Sequence, residues 1–397
     1  MEAKAVRLSE NVYWVGAIDW NLRDFHGFST SRGTTYNAYL VVDDRIALID
    51  NVKKGFADEM FARIASVLDP ARINVVVSNH TEMDHSGCLP LVLDVARDAT
   101  LVTSKKAGEI AIDRHFHTAW PRMGVGDGDE ISLGKRTLRF FSLAMLHWPD
   151  SMATYLPEEQ ILFPNDAFGQ HLATSLLFDD QEDLEVIMQE ARKYYATIVM
   201  PLGVVVQRAL EKLRGVPIKI IAPSHGAIWR SHLDRIVEAY ASWADGRVKR
   251  KAVIAYDSMW GSTTKMAQGI AEGLSSRGIE VKLYNLSCSD ESDVISDLLE
   301  ARALVVGSAT ANNGMLGPVA GFLNVVKGLR PKGKVGAAFG SYGWGGGAVR
   351  AIEQQLQEMG VELVQPGLGV QFVPNEKELA SCIELGKKIA GACGGGA

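Results

Sequence analysis

A chain of 397 residues is longer than one compact core usually spans, so two domains are expected. Hydrophobic content of 47% and charged content of 22% describe an ordinary water-soluble globular protein, and a net charge of −6 argues against nucleic acid or an acidic membrane surface as the main partner. No apolar stretch reaches the roughly 18 residues of a membrane span, and no basic-then-apolar secretory leader opens the sequence. The cysteines Cys88, Cys288, Cys382 and Cys393 are widely scattered and form no CxxC pair, which supports neither a disulfide framework nor a cysteine-bound zinc or iron–sulfur site and leaves a reducing, cytoplasmic setting as the expectation.

In chain order, Asn37–Val42 and Ile46–Asp50 flank Asp43-Asp44 as a hairpin, and Phe56–Leu68 has helical spacing. Ile73–Val77 is a short buried-strand pattern, followed by a helix over Gly87–Ala96. Thr137–Met145, Ala153–Leu156, Gln160–Phe163 and Ile218–Ile221 are predicted strands. Glu182–Ala196, Val204–Leu213 and Ser231–Trp243 are predicted helices. Strands interleaved with helices in this way fit a layered sandwich.

A polar seam, Trp243–Lys251, then separates this half from a second in which strand and helix alternate. The predicted strands are Lys251–Tyr256, Glu280–Tyr284, Leu304–Gly307 and Lys334–Phe339. Helices are predicted at Thr263–Ser276, Val319–Val326, Ala348–Met359 and Glu376–Ala390, with a frayed tail at Gly391–Ala397. That alternation is a parallel, doubly wound sheet of about five strands. The expected division is 1–249 and 250–397. All nine histidines lie before residue 233, so metal chemistry is assigned to the first half.

The metal signal is His80-Thr81-Glu82-Met83-Asp84-His85, directly after a predicted strand. In an extended loop alternate side chains point the same way, so His80, Glu82 and Asp84 can converge, while His85 faces away and its ligation stays open. His147, Asp166 and His225 each follow a later predicted strand. Singly, each has a bland reading as a turn former, a helix cap or a satisfied core histidine. Jointly they describe a sheet-edge metal site. His26, His171 and Tyr195 are candidates to line it and supply protons. His115 and His117 are assigned to a helix surface, and Trp148 to packing.

The second signal is a set of three loops at predicted strand ends. Ser258-Met259-Trp260-Gly261-Ser262-Thr263 opens a helix and offers N–H and O–H donors to a phosphate; the lysine of a Walker loop is missing. Ala309, Thr310, Asn312, Asn313 and Gly314 form the second loop, and Ser341, Tyr342, Gly343, Trp344, Gly345 and Gly346 the third. Glycines let backbone approach a flat ring, and Trp344 can stack on it.

The order HxExDH, then H, D and H, resembles the metallo-β-lactamase superfamily, an αββα sandwich that binds two metals. Glu82 stands where most hydrolases of that superfamily have a second histidine, and a carboxylate there favours iron over zinc. The second half is similar to flavodoxin, which implies flavin mononucleotide (FMN). Together the halves resemble flavodiiron proteins. That resemblance implies one iron held by His80, Glu82 and His147, another by Asp84 and His225, and Asp166 bridging them. It implies electrons from rubredoxin or a similar carrier, dioxygen or nitric oxide as substrate, and a head-to-tail homodimer. No fused rubredoxin module is read after the flavodoxin-like half. The rival readings are a dinuclear metallo-hydrolase with an accessory flavodoxin domain, and a redox-sensing binding protein without turnover. No residue chooses between the two gases.

Overall fold

A computed structural model of the chain describes residues 3–394; the end of the predicted tail lies outside the described residues. The chain divides into two compact units, Met1–Tyr194 with Val204–Ala241, and Tyr195–Gly203 with Ser242–Ala397.

The first unit is the expected two-sheet sandwich. One sheet runs Val6–Arg7, Val12–Trp14, Tyr39–Val41, Ile46–Ile49, Ile73–Ser78, Thr100–Ser104 and Arg122–Val125 in spatial order. Its first strands pair antiparallel and its last four are parallel. The other sheet holds Glu130–Ser132, Thr137–Ser142, Met152–Leu156, Ile161–Phe163 and Ile220–Ile221.

Strand alternation decides which way each residue faces. Tyr39, Val41, Ala47, Ile49, Val75 and Val77 point inward and meet Phe140, Leu156, Ile161 and Phe163 of the second sheet. Their neighbours Leu40, Leu48 and Val76 point outward, onto Met60, Ile64, Leu89, Val92 and Ile112 of the covering helices Ala57–Ala65, Leu89–Val95 and Ala107–Phe116. Both faces of the central strands are therefore apolar, which is why they read as continuous hydrophobic runs. Several short strands, among them Val12–Trp14 and Thr100–Ser104, carry too little pattern to be read from sequence.

In the second unit every pairing of the main sheet is parallel. The order is Glu280–Asn285, Lys249–Asp257, Ala301–Ser308, Val335–Tyr342, then Glu362–Leu363 and Leu368–Gln371, which both pair with Val335–Tyr342. This is a doubly wound sheet whose strand order reverses beside Lys249–Asp257, where such sheets bind ligands. That strand begins inside the polar stretch read as a seam. The last helix, Glu376–Cys393, runs into the predicted tail.

Helices Ser262–Ser275 and Glu376–Cys393 cross with backbone nearly touching backbone. A Cβ on Gly386 would lie 2.2 Å from the Ile270 carbonyl oxygen, and one on Gly273 would lie 2.0 Å from that of Ile383. Replacing Gly386 by Val should therefore destabilise the second unit by about 1–3 kcal/mol through overpacking. Gly391, in the same helix with open space around it, should tolerate alanine and gain up to about 1 kcal/mol from helix propensity. Calorimetric unfolding of the two variants checks both signs.

Candidate metal centre and cofactor pocket

The residues of the first signal converge, by a route that differs in part from the extended loop expected. His80 follows strand Ile73–Ser78, but Glu82 caps a short helix, Met83–Ser86. The helical turn buries Asp84 and His85 together and leaves Met83 as the exposed member. His85 thus joins the cluster instead of facing away, because a helix brings consecutive side chains round by about 100° where a strand alternates them. His147, Asp166 and His225 arrive from loops beyond Thr137–Ser142, Ile161–Phe163 and Ile220–Ile221. Gly226 adopts φ +76, and a Cβ there would strike Gln170, so the turn after His225 requires glycine.

Among the described residues two groups of ligating atoms form: His80, Glu82, His147 and Asp166, and Asp84, His85 and His225. Asp166 faces both. Its Oδ2 lies 3.2 Å from His147 Nε2 and 3.8 Å from His80 Nε2, while its Oδ1 lies 3.0 Å from His85 Nε2 and 3.6 Å from His225 Nε2. Within the groups, His80 Nε2 is 3.1 Å from Glu82 Oε2, and His225 Nε2 is 3.2 Å from Asp84 Oδ2. Both oxygens of Asp84, Oδ2 of Asp166 and both ring nitrogens of His85 are buried without a hydrogen bond. Such orphans fit a bound cation, and the mixed nitrogen and carboxylate donors fit iron.

The ring nitrogens turned away from the cluster are held. His225 Nδ1 donates to the Thr35 carbonyl at 2.7 Å, and His80 Nδ1 faces the Asp150 carboxylate, leaving each Nε2 free for a metal. Sequence reasoning does not reach Thr34 or Thr35, nor the role of Asp150. Only its position three residues after a candidate ligand could have flagged it.

His26, on the turn between Asp24–Phe25 and Phe28–Ser29, sets Nε2 2.7 Å from Glu82 Oε1 with its ring 62% exposed. His171 packs 4.9 Å from the His225 ring, with Nδ1 3.0 Å from the Thr34 hydroxyl. Burial and the neighbouring His225 push its pKa well down, so it stands neutral. Tyr195 is not brought to this cluster. Its ring packs on Trp243 in the second unit, and Tyr194, turned by one helical step, lies 4.9 Å from His171 instead. His115 and His117 are exposed, and Trp148 packs edge-on to His80.

In the second unit, Met259, Trp260, Ser262, Ala309, Thr310, Ser341, Tyr342, Gly343 and Trp344 line a cavity of about 420 Å³. Phe372 and Val373 complete it, residues overlooked because the strand before them, Leu368–Gln371, was not read. The three predicted loops are tied together: Thr263 Oγ1 lies 2.9 Å from Ser341 Oγ, and Gly347 packs so closely on the Asn313 carbonyl that a Cβ would sit 1.8 Å from it. Asn312, Asn313 and Gly314 belong to the second loop, Gly345 and Gly346 to the third, and Gly261, at φ +83, caps helix Ser262–Ser275 and donates its N–H to the Ser258 hydroxyl. Trp260 and Trp344 stand 93% and 95% exposed, bare indoles at the rim of a pocket sized for a flat aromatic ligand.

The comparisons match both halves of the chain. A model described as ODP family beta lactamase matches residues 34–226, and a flavodoxin model matches 254–386. The chain is 51% identical over 393 residues to a nitric oxide reductase of Moorella thermoacetica, covering 98% of each chain. It is similar to the solved rubredoxin oxygen:oxidoreductase of Desulfovibrio gigas, with TM-score 0.96, 40% identity and coverage of 98% and 99%. The flavodiiron protein from Giardia intestinalis also matches at TM-score 0.96, with 34% identity and coverage of 98% and 97%.

The charges in the cluster set a pH dependence. Burial would lower the pKa of His80, His85 and His147, but their carboxylate neighbours outweigh it and push them up to about 9, about 10 and about 9. Without metal these imidazoles hold protons, and their contribution to stability, complete below the ordinary value near 6.5, is lost as pH rises through 9 to 10. A bound metal replaces those protons. The gap between the melting temperatures of metal-loaded and chelated protein should therefore widen from pH 6.5 to pH 9. A gap that is constant or narrows would contradict this electrostatic account.

Proposed function

The chain belongs to the flavodiiron protein family, and from that premise we propose that it takes electrons from an external donor through FMN to a di-iron site and reduces dioxygen to water, nitric oxide to nitrous oxide, or both. Its cofactors are FMN and a di-iron centre. When bound, these groups supply the reversible one-electron chemistry and the open metal positions that a gas needs.

The chain's own residues provide the rest. His80, Glu82 and His147 would hold one iron; Asp84 and His225, joined by His85, would hold the other. Asp166 would link them, and the divided facing of its two oxygens is the observation that carries this reading. Glu82 in place of a histidine is what disfavours the hydrolase alternative, which zinc in the purified protein would revive. His26, exposed on one side and hydrogen-bonded to Glu82 on the other, is placed to pass protons inward from solvent. His171 holds a neutral ring against His225 and excludes water beside it.

We read the exposed apolar rim of Met259, Trp260, Trp344, Phe372 and Val373 as a face that meets protein, supporting a rubredoxin-like donor and a head-to-tail homodimer. The four unpaired cysteines support a cytoplasmic setting. Among the described residues no helix is long and apolar enough to cross a membrane.

Feeding the purified protein electrons through rubredoxin and its reductase, with each gas followed by electrode, tests the activity. Asp166→Ala should cut consumption of either gas by more than about a hundredfold, since losing even an outer partner of a metal ligand costs 10–100-fold. Donor reduction of FMN should persist in the same variant. Undiminished gas consumption by Asp166→Ala, or zinc in the wild-type centre, would sink the reading.

A further inference from the structure

The two groups of ligands are backed differently. Behind His80, the ring Nδ1 lies 3.2 and 3.3 Å from the two oxygens of Asp150, which is 3% exposed. The same carboxylate accepts the Thr81 N–H at 2.8 Å and the Thr81 hydroxyl. Behind His225 stands a neutral acceptor, the Thr35 carbonyl, with the Thr34 hydroxyl 3.3 Å from the same nitrogen. An anion drawing on the Nδ1 proton makes the imidazole a stronger electron donor through Nε2 than a peptide carbonyl does.

Counted by charge, the asymmetry is one anion. The first group has Glu82 and, behind it, Asp150; the second has Asp84; Asp166 is shared. Asp150 faces three donors, His80 Nδ1, the Thr81 N–H and the Thr81 hydroxyl, which is the acceptor role of a carboxylate. The other buried acid nearby, Asp50, is taken up by the Asn79 N–H and the Asn79 and Asn165 amides, and no described hydrogen bond joins it to a ligand ring.

We propose that Asp150 is a positioning residue that lowers the reduction potential of the iron held by His80, Glu82 and His147, so that the first electron entering the oxidised pair settles on the iron of Asp84 and His225. The proposal rests on the di-iron reading above. Each step takes one electron from the donor and breaks no bond to the chain; His80 keeps its Nδ1 proton and Asp150 its charge. An added negative charge beside a metal stabilises its more oxidised state, so the His80 iron is reduced second.

The test is a redox titration of the iron- and FMN-loaded protein, followed by electron paramagnetic resonance of the half-reduced pair. Asp150→Asn keeps an acceptor for His80 and removes the charge. The second one-electron step should move to higher potential, the first should move less, and the maximal half-reduced signal should fall. Unmoved steps, or a larger shift in the first, would overturn the proposal. If Asp150→Asn holds fewer than two irons, Asp150→Glu decides. Two irons with the wild-type spacing of the steps supports a charge effect, and any other result means a packing role and overturns it. Failure of the di-iron reading itself is distinguishable, because it appears as zinc or a single ion in the wild-type protein before any variant is made.

Discussion

Asp166 is a buried carboxylate shared between two clusters of imidazoles and acids, and the first unit is arranged so that its two oxygens serve different neighbours. Glu82, Asp84 and Asp150 are also buried. Removing this many carboxylates from water is costly unless positive charge stands among them. Protons on His80, His85 and His147 supply part of that charge, but they leave Asp84 and one oxygen of Asp166 without hydrogen bonds. Cations at the two clusters satisfy the same atoms more completely. Folding of this region and metal loading are therefore coupled, as is usual where ligands must be deprotonated to bind.

The sandwich makes that concentration of charge possible because its two sheets deliver ligand loops to one place, and a single buried acid locks the delivery. Asp50 accepts hydrogen bonds from the Asn79 N–H at 2.8 Å, the Asn79 amide at 3.0 Å and the Asn165 amide at 3.3 Å. Asn79 precedes His80 and follows a strand of the first sheet, while Asn165 precedes Asp166 and follows a strand of the second. Thr154 adds a bond to Asn79 from the second sheet at 2.7 Å. Asp166 and His80 are thus fixed by one polar brace passing between the sheets. Cross-braces of this kind rigidify a site because every member is satisfied inside the fold.

The clustered residues were legible in the sequence because they sit just past strand ends, where strand periodicity stops and polar residues stand out. His80, His147, Asp166 and His225 all have that position, and the family pattern ordered them. Their partners were less visible. Asp150, Asp50 and Thr35 act through hydrogen bonds to residues tens of positions away, and no local spacing encodes such a pairing. His85 is undecided in an extended loop, whereas one turn of helix at Met83–Ser86 changes which side chains share a face. Tyr195 is one helical step from Tyr194, the residue that packs against His171. In the second unit the phosphate and ring loops announced themselves through glycine and hydroxyl residues, whereas Phe372 and Val373 depend on a strand too short and glycine-broken to read.

The two units solve opposite physical problems. The metal centre needs charge held away from water, so its donors are buried and the ring of His26 is its most exposed attached group. The cofactor pocket needs an uncharged ring presented to an outside partner, so its walls are backbone, hydroxyls and apolar side chains, with Trp260 and Trp344 left nearly bare. Electron transfer to a separate protein falls off with distance, which favours a cofactor edge at the surface; gas chemistry at a metal suffers from bulk water, which favours enclosure. A chain that must do both cannot do so around one core. The composition shift that empties the second half of histidine, and the change from side-chain donors to glycine-rich loops, follow from that division.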